Sequence, residues 1–135
     1  MTLHVEVVSP ERILWTGDAD RVIARTIGGG EIAFLTGHAP FVGALDIGTV
    51  RVHSEDGIDE TIAVHGGFVE VSHDRVTVLS DVAEVASQID VERARAALDR
   101  AESQLRTQQD AETEAALRRA RVRIEAATGS VGASH

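Results

Sequence analysis

From Ile89 the chain reads I-D-V-E-R-A-R-A-A-L-D-R-A-E-S-Q-L-R to Arg106, and from Ala111 it reads A-E-T-E-A-A-L-R-R-A-R-V-R-I-E-A-A to Ala127. Neither run contains a glycine or a proline, and both are built from strong helix formers. The polar break Gln108-Gln109-Asp110 predicts a tight turn between two antiparallel helices. Ala94, Ala97, Leu98, Ala101 and Leu105 fall on one side of the first helix, and Ala116, Leu117, Ala120, Ile124 and Ala127 on one side of the second.

That seam is thin. A fully buried Leu or Ile contributes roughly 1.5–3 kcal/mol, and the seam holds only Leu98, Leu105, Leu117 and Ile124, with Val91 and Val122 beside them. Ordering each residue costs about 1–2 kcal/mol of backbone entropy. The hairpin is therefore expected to dock on something else, and an element docked weakly can change position.

Upstream of it the grammar differs. Leu3, Val5 and Val7 alternate with His4 and Glu6, and similar short alternating runs follow to Val85, punctuated by Gly28-Gly29-Gly30, Thr36–Pro40, Asp46–Gly48, Ser54–Gly57, His65–Gly67 and Ser72–Asp74. About ten short strands are predicted, in an all-β sandwich of antiparallel strands with no intervening helix. The chain thus divides into a β-sandwich over 1–86, a helical hairpin over 87–127 and a small polar tail over 128–135 with nothing to order it.

The 135 residues carry a formal net charge of -9. All of it lies in 1–86, where 14 carboxylates face 5 arginines; residues 87–135 hold 8 of each. Nucleic acid, which wants a basic face, is excluded as a partner. There is no cysteine, hence no disulfide or thiolate site, and no apolar run approaches a membrane span. The N-terminus lacks signal-peptide character, so an intracellular protein is expected.

Most motifs dissolve on inspection. Gly28-Gly29-Gly30 is neither a Walker loop nor G-x-G-x-x-G, and positive φ explains it better. His38, His65 and His73 fall at predicted turns without close metal-ligand spacing, so no metal site is assigned. Ser72-His73-Asp74 has the letters of a hydrolytic triad, but neighbours on one turn cannot make its contacts. The arginines form a stronger set. Arg93 and Arg100 share a face of the first helix, and Arg119 and Arg123 share a face of the second. Folded together they can converge on a triphosphate, whose oxygens suit guanidinium forks. Spacing alone favours a solvated surface in which they pair with Asp99, Glu102 and Glu125.

Several stretches carry a resemblance. Gly30-Glu31-Ile32-Ala33-Phe34-Leu35-Thr36-Gly37-His38-Ala39-Pro40 and Leu45–Gly48 resemble the G-E-x-x-x-x-x-G-H-A-P…G segment of the epsilon subunit of F-type ATP synthases. Gly66–Val71 followed by Val76–Asp81 is similar to that family's G-G-F-x-E-V…V-T-V-L-x-D, and Ile89–Ala94 to its I/L-D-x-x-R-A nucleotide motif. The similarity runs from Leu3 to about Ala127, and the all-arginine basic content suits a high-GC bacterium.

The resemblance implies a non-catalytic rotor subunit of the central stalk, with no required cofactor. It would bind the gamma subunit, rest on the c-ring and take part in proton-driven ATP synthesis. As a peripheral part of the F1 sector it would lie at the cytoplasmic face of the bacterial cell membrane without inserting into it. The hairpin would fold on the sandwich or extend along gamma into the alpha/beta hexamer, where it blocks ATP hydrolysis. ATP, as a regulatory ligand, would hold the folded state. Residue by residue, Ile89, Asp90, Arg93 and Ala94 match the nucleotide motif, Arg100 its second arginine, Glu84 the preceding acid, and Arg119 and Arg123 the pair on the second helix. Between Gln109 and Arg118 the chain is a few residues shorter than ATP-binding members. Glu31 and His38 match the loop region facing ring and stalk. The alternative from a different class is a free-standing ATP-binding sensor whose main site is the arginine cluster.

Overall fold

The computed structural model describes residues 2–57 and 59–129. Eight strands come first: β1 (Leu3–Val8), β2 (Ile13–Ala19), β3 (Arg21–Thr26), β4 (Gly30–Leu35), β5 (Phe41–His53), β6 (Asp59–Ser72), β7 (Arg75–Leu79) and β8 (Ala83–Val85). A single 3-10 turn at Ala86–Gln88 leads into α1 (Val91–Leu105) and α2 (Ala111–Thr128). Thr128, assigned to the tail from sequence, is the last residue of α2, and Gly129 caps it at φ 75°; the rest of the expected tail, 130–135, lies outside the described residues.

The strands follow the order β2-β1-β7-β6-β5-β3-β4, with β8 on β6. One buried core gathers side chains from all eight, including Leu3, Val5, Val22, Phe34, Leu45, Ile62, Val69, Val78 and Val85. The sandwich expected from the alternation is there, with two differences. β1 pairs with β7 in parallel, and two predicted breaks are not chain reversals.

At Asp46–Gly48 and His65–Gly67 the strands bend without ending, so four expected strands become the long pair β5–β6. Its register is continuous, from Phe41↔Val71 through Leu45↔Gly67 and Ile47↔His65 to His53↔Asp59. The bend nevertheless shifts the phase of burial. Core residues of β6 are Ile62 and Val64 before it and Val69 and Val71 after it. The period-two pattern is thus interrupted in sequence, although the ladder continues. Gly66 and Gly67 absorb the bend at φ 94° and 112°.

True reversals lie elsewhere. Gly28 and Gly30 take positive φ between β3 and β4, and His73 and Asp74 do so between β6 and β7, where Asp74 accepts a hydrogen bond from the Gly37 N–H at 2.7 Å. Ser72-His73-Asp74 is a turn and not a triad.

Asp90 and Asp110 set the helix starts, accepting from the N–H groups of Arg93 (3.0 Å) and Thr113 (2.8 Å). The hydrogen bonds from Thr113 hold the Asp110 carboxyl below its ordinary pKa. Ala94, Leu98, Ala101, Leu117, Ala120 and Ile124 form the buried seam, flanked by Ala97, Leu105 and Ala116. Ala127 leaves this seam and turns with Val122 and Ala126 toward the sandwich, against Ala63, Ile89 and Ile47.

Candidate functional site

The hairpin lies across β5 and β6, and its attachment is small. Val122 and Ala126 of α2 cover Ala63 of β6, which is wholly buried although its neighbours Ile62 and Val64 already point into the sandwich core. Two ion pairs flank this patch, Arg118 to Asp46 and Arg123 Nε to Glu84 Oε1, the latter at 2.6 Å. Each is part-exposed and so contributes on the order of 0–1 kcal/mol.

Arg123 is the centre of the candidate site. On one side of it lies a hollow of about 240 Å³ lined by Glu84, Gln88, Ile89, Asp90, Arg93 and Ala94. On the other lies one of about 200 Å³ between the helices, lined by Arg100, Arg119 and the small seam residues Ala97, Ala101, Ala116 and Ala120. Arg123 borders both. Each is smaller than the roughly 300–1,000 Å³ of small-molecule sites.

All eight residues singled out from sequence therefore lie along one surface: Glu84, Ile89, Asp90, Arg93, Ala94, Arg100, Arg119 and Arg123. Their occupancy differs. Arg119 donates to Glu112 at 2.8 Å and Arg123 to Glu84, while Arg93 and Arg100 have no ion-pair partner among the described residues. The expected pairing of the cluster with Asp99, Glu102 and Glu125 is not among the salt bridges of the described residues. A third hollow, across α2, contains Arg25, Arg118 and Arg121 against Glu31, Asp46 and Glu125. Its charges balance, which makes it a poor anion site.

Glu31 and His38 do not share a loop. Glu31 lies in β4, 3.0 Å from Arg51, whereas His38 lies beyond the other end of that strand, its ring edge-on to Phe34 at 5.0 Å between centroids. On a separate face an apolar row crosses the sheet. Ile13 lies opposite Val8, Val8 beside Leu79, Leu79 opposite Phe68 and Phe68 opposite Ala44, with Ile27 bonded to Ala44. Ile13, Ile27, Phe68 and Leu79 are all exposed, and so is Val42 nearby.

His65, expected at a surface turn, is inside β6 with its side chain only 4% exposed. Neither ring nitrogen has a hydrogen-bond partner among the described residues. Burial holds its pKa below the ordinary value, and Arg123 pushes the same way against Glu84. A bend in place of the break at Gly66 would have revealed it, since alternation then puts His65 on the helix-facing side with Ala63. Among the described residues no group of side chains could hold a metal ion, and no helix is long and apolar enough to cross a membrane.

Residues 2–86 match the family model for the ATP synthase delta/epsilon chain β-sandwich domain, and residues 87–128 match that for its long α-helix domain. Among curated proteins the chain is 44% identical over 124 residues to the ATP synthase epsilon chain of Streptomyces griseus, covering 92% of this chain and 94% of that one. It is 48% identical over 128 residues to that of Thermobifida fusca, covering 93% and 91%. Among solved structures, a chain of the Euglena gracilis mitochondrial ATP synthase superposes with a TM-score of 0.75 at 24% identity, covering 87% of this chain and 76% of its own. At that identity the likeness speaks for the fold.

Proposed function

Because the chain belongs to the delta/epsilon family of ATP synthase chains, as an epsilon chain, we propose that it is a non-catalytic subunit of the central stalk whose helical hairpin brakes ATP hydrolysis. The observation that carries this reading is the narrow seat of the hairpin. One apolar patch and two part-exposed ion pairs hold it to the sandwich. Burying Val122 contributes roughly 1.5–3 kcal/mol and the alanines less. Reversing a 1:99 equilibrium takes about 5.5 kcal/mol of differential affinity, which a partner surface can supply. In this reading the hairpin leaves its seat, runs along gamma and enters the alpha/beta hexamer.

The sandwich is the fixed part. Relatives of the fold come from assemblies described as F1 with a c-ring and as a central stalk with a c-ring. Gamma docks on the apolar row through Phe68 and Leu79, while Glu31 and His38 face ring and stalk. The subunit thus works peripherally, at the cytoplasmic face of the membrane, in proton-driven ATP synthesis. Phe68→Glu is expected to reduce co-elution with gamma at least tenfold without lowering the melting temperature by more than a few degrees. Undiminished co-elution would move the docking face elsewhere.

ATP is the second ligand in this reading. Arg93 and Arg123 grip its phosphates from the first hollow and Arg100 and Arg119 from the second, joining both helices and stabilising the seated hairpin. A hydrogen bond to a charged group is worth about 1.5–3 kcal/mol, so Arg123→Ala is expected to weaken ATP binding by about 10- to 100-fold in calorimetry. Equal affinity in the variant would mean that the cluster is only a solvated surface. Tight ATP binding with no affinity for gamma would instead favour a free-standing sensor.

A further inference from the structure

We propose that His65 and Arg123 compete for the Glu84 carboxylate, so that a proton on His65 loosens the helical hairpin from the sandwich. The proposal rests on the hairpin being able to leave its seat, as read above. It adds a chemical signal distinct from the nucleotide.

The geometry sets up the contest. Glu84 Oε1 lies 2.6 Å from Arg123 Nε and 3.6 Å from His65 Nε2. The first is a charge-assisted hydrogen bond, and the second is just beyond hydrogen-bond reach. One carboxylate oxygen therefore has a cationic partner on α2 and a titratable partner on β6. The charged groups acting on the ring are Glu84 from β8 and Arg123 and Arg119 from α2; Asp81, between β7 and β8, lines a hollow that His65 also borders, and from β5 its cross-strand neighbour is the apolar Ile47. With the hairpin seated, a charged imidazolium would be buried next to two guanidiniums, with the carboxylate that acts on it already bonded to one of them. Neutral His65 fits that seat and protonated His65 does not.

Lifting the hairpin reverses each factor. Arg123 and Arg119 leave with α2, water reaches the ring, and Glu84 stays behind on β8 as a free counterion. The seated state thus binds protons more weakly than the lifted state, in keeping with the lowered pKa of the buried ring. Seating is at full strength well above the ordinary histidine pKa of about 6.5. It weakens as the pH falls through that value, and the loss levels off once the buried ring itself is protonated.

The chain has no cysteine, so dyes attached at Glu70→Cys on the sandwich and Gln108→Cys at the hairpin tip report their separation alone. The full chain is titrated from pH 8 to pH 5 with enough gamma present to lift half of the hairpins. The seated-to-lifted ratio is expected to fall at least about threefold between pH 7.5 and 5.5. His65→Gln, or His65→Ser should the glutamine pack badly, is expected to flatten the titration. A flat wild-type titration, or an equal fall in both variants, overturns the competition while leaving a mobile hairpin intact. Failure of gamma to change the separation at any pH overturns the mobile hairpin itself, and the competition with it.

Discussion

Gly67→Ala is expected to cost the sandwich a large part of its stability. A Cβ at this position would lie 2.0 Å from the Leu79 carbonyl oxygen and 3.0 Å from both the Leu79 carbonyl carbon and Ser80 Cα. All three are backbone atoms, two from the last residue of β7 and one from the residue after it, so no side chain can swing aside. The residue also sits at φ 112°, where a side chain is strained whatever the space. Backbone strain of about 1–3 kcal/mol adds to overpacking of about 1–3 kcal/mol, against a total stability of about 5–15 kcal/mol. For a domain of this size each kcal/mol shifts the melting temperature by about 4–8 °C. A fall of at least about 10 °C, or loss of soluble protein, is expected. Gly57→Ala is the control: its φ is 84° but nothing lies within 4 Å of the added carbon, so only the strain remains. Melting of Gly67→Ala within a few degrees of wild type would show that β6 and β7 can part locally.

Removing residues 87–135 is expected to abolish the brake on hydrolysis and spare the rest. The sandwich core is complete without the hairpin, since none of its buried members comes from α1 or α2. What truncation uncovers is the patch around Ala63 and Ile47, far smaller than the core. Added to a catalytic complex lacking this subunit, the truncated chain should leave ATP hydrolysis at the uninhibited rate, whereas the full chain should lower it severalfold. Its affinity for gamma should stay within about threefold of wild type, because every residue of the apolar row precedes the truncation and none comes from the helices. Persisting inhibition would assign the brake to the sandwich and remove the hairpin's regulatory role.

Sequence reading succeeded where one local rule governed. The helical runs and the spacing of the arginines on each helix follow from a 3.6-residue period, and Arg93, Arg100, Arg119 and Arg123 line two hollows that share Arg123. It failed where two rules overlapped. Gly66-Gly67 has the composition of a reversal, yet Leu45 pairs with Gly67 and the ladder runs on. That misreading also put His65 on the surface. Partners distant in sequence were invisible as well. Arg118–Asp46 and Arg123–Glu84 join residues that no periodicity relates, and only the seating of α2 on β5 and β6 brings them together.

The parallel ladder between β1 and β7 has a consequence for synthesis. Val5 lies beside Val76, so about 70 residues must leave the ribosome before that edge of the N-terminal strand finds its neighbour. Until then the hairpin of β1 and β2 offers an open, valine-rich border to any other nascent chain. Chaperone demand should accordingly peak just before residues 75–79 emerge and fall once they have joined, while the helices are still being made.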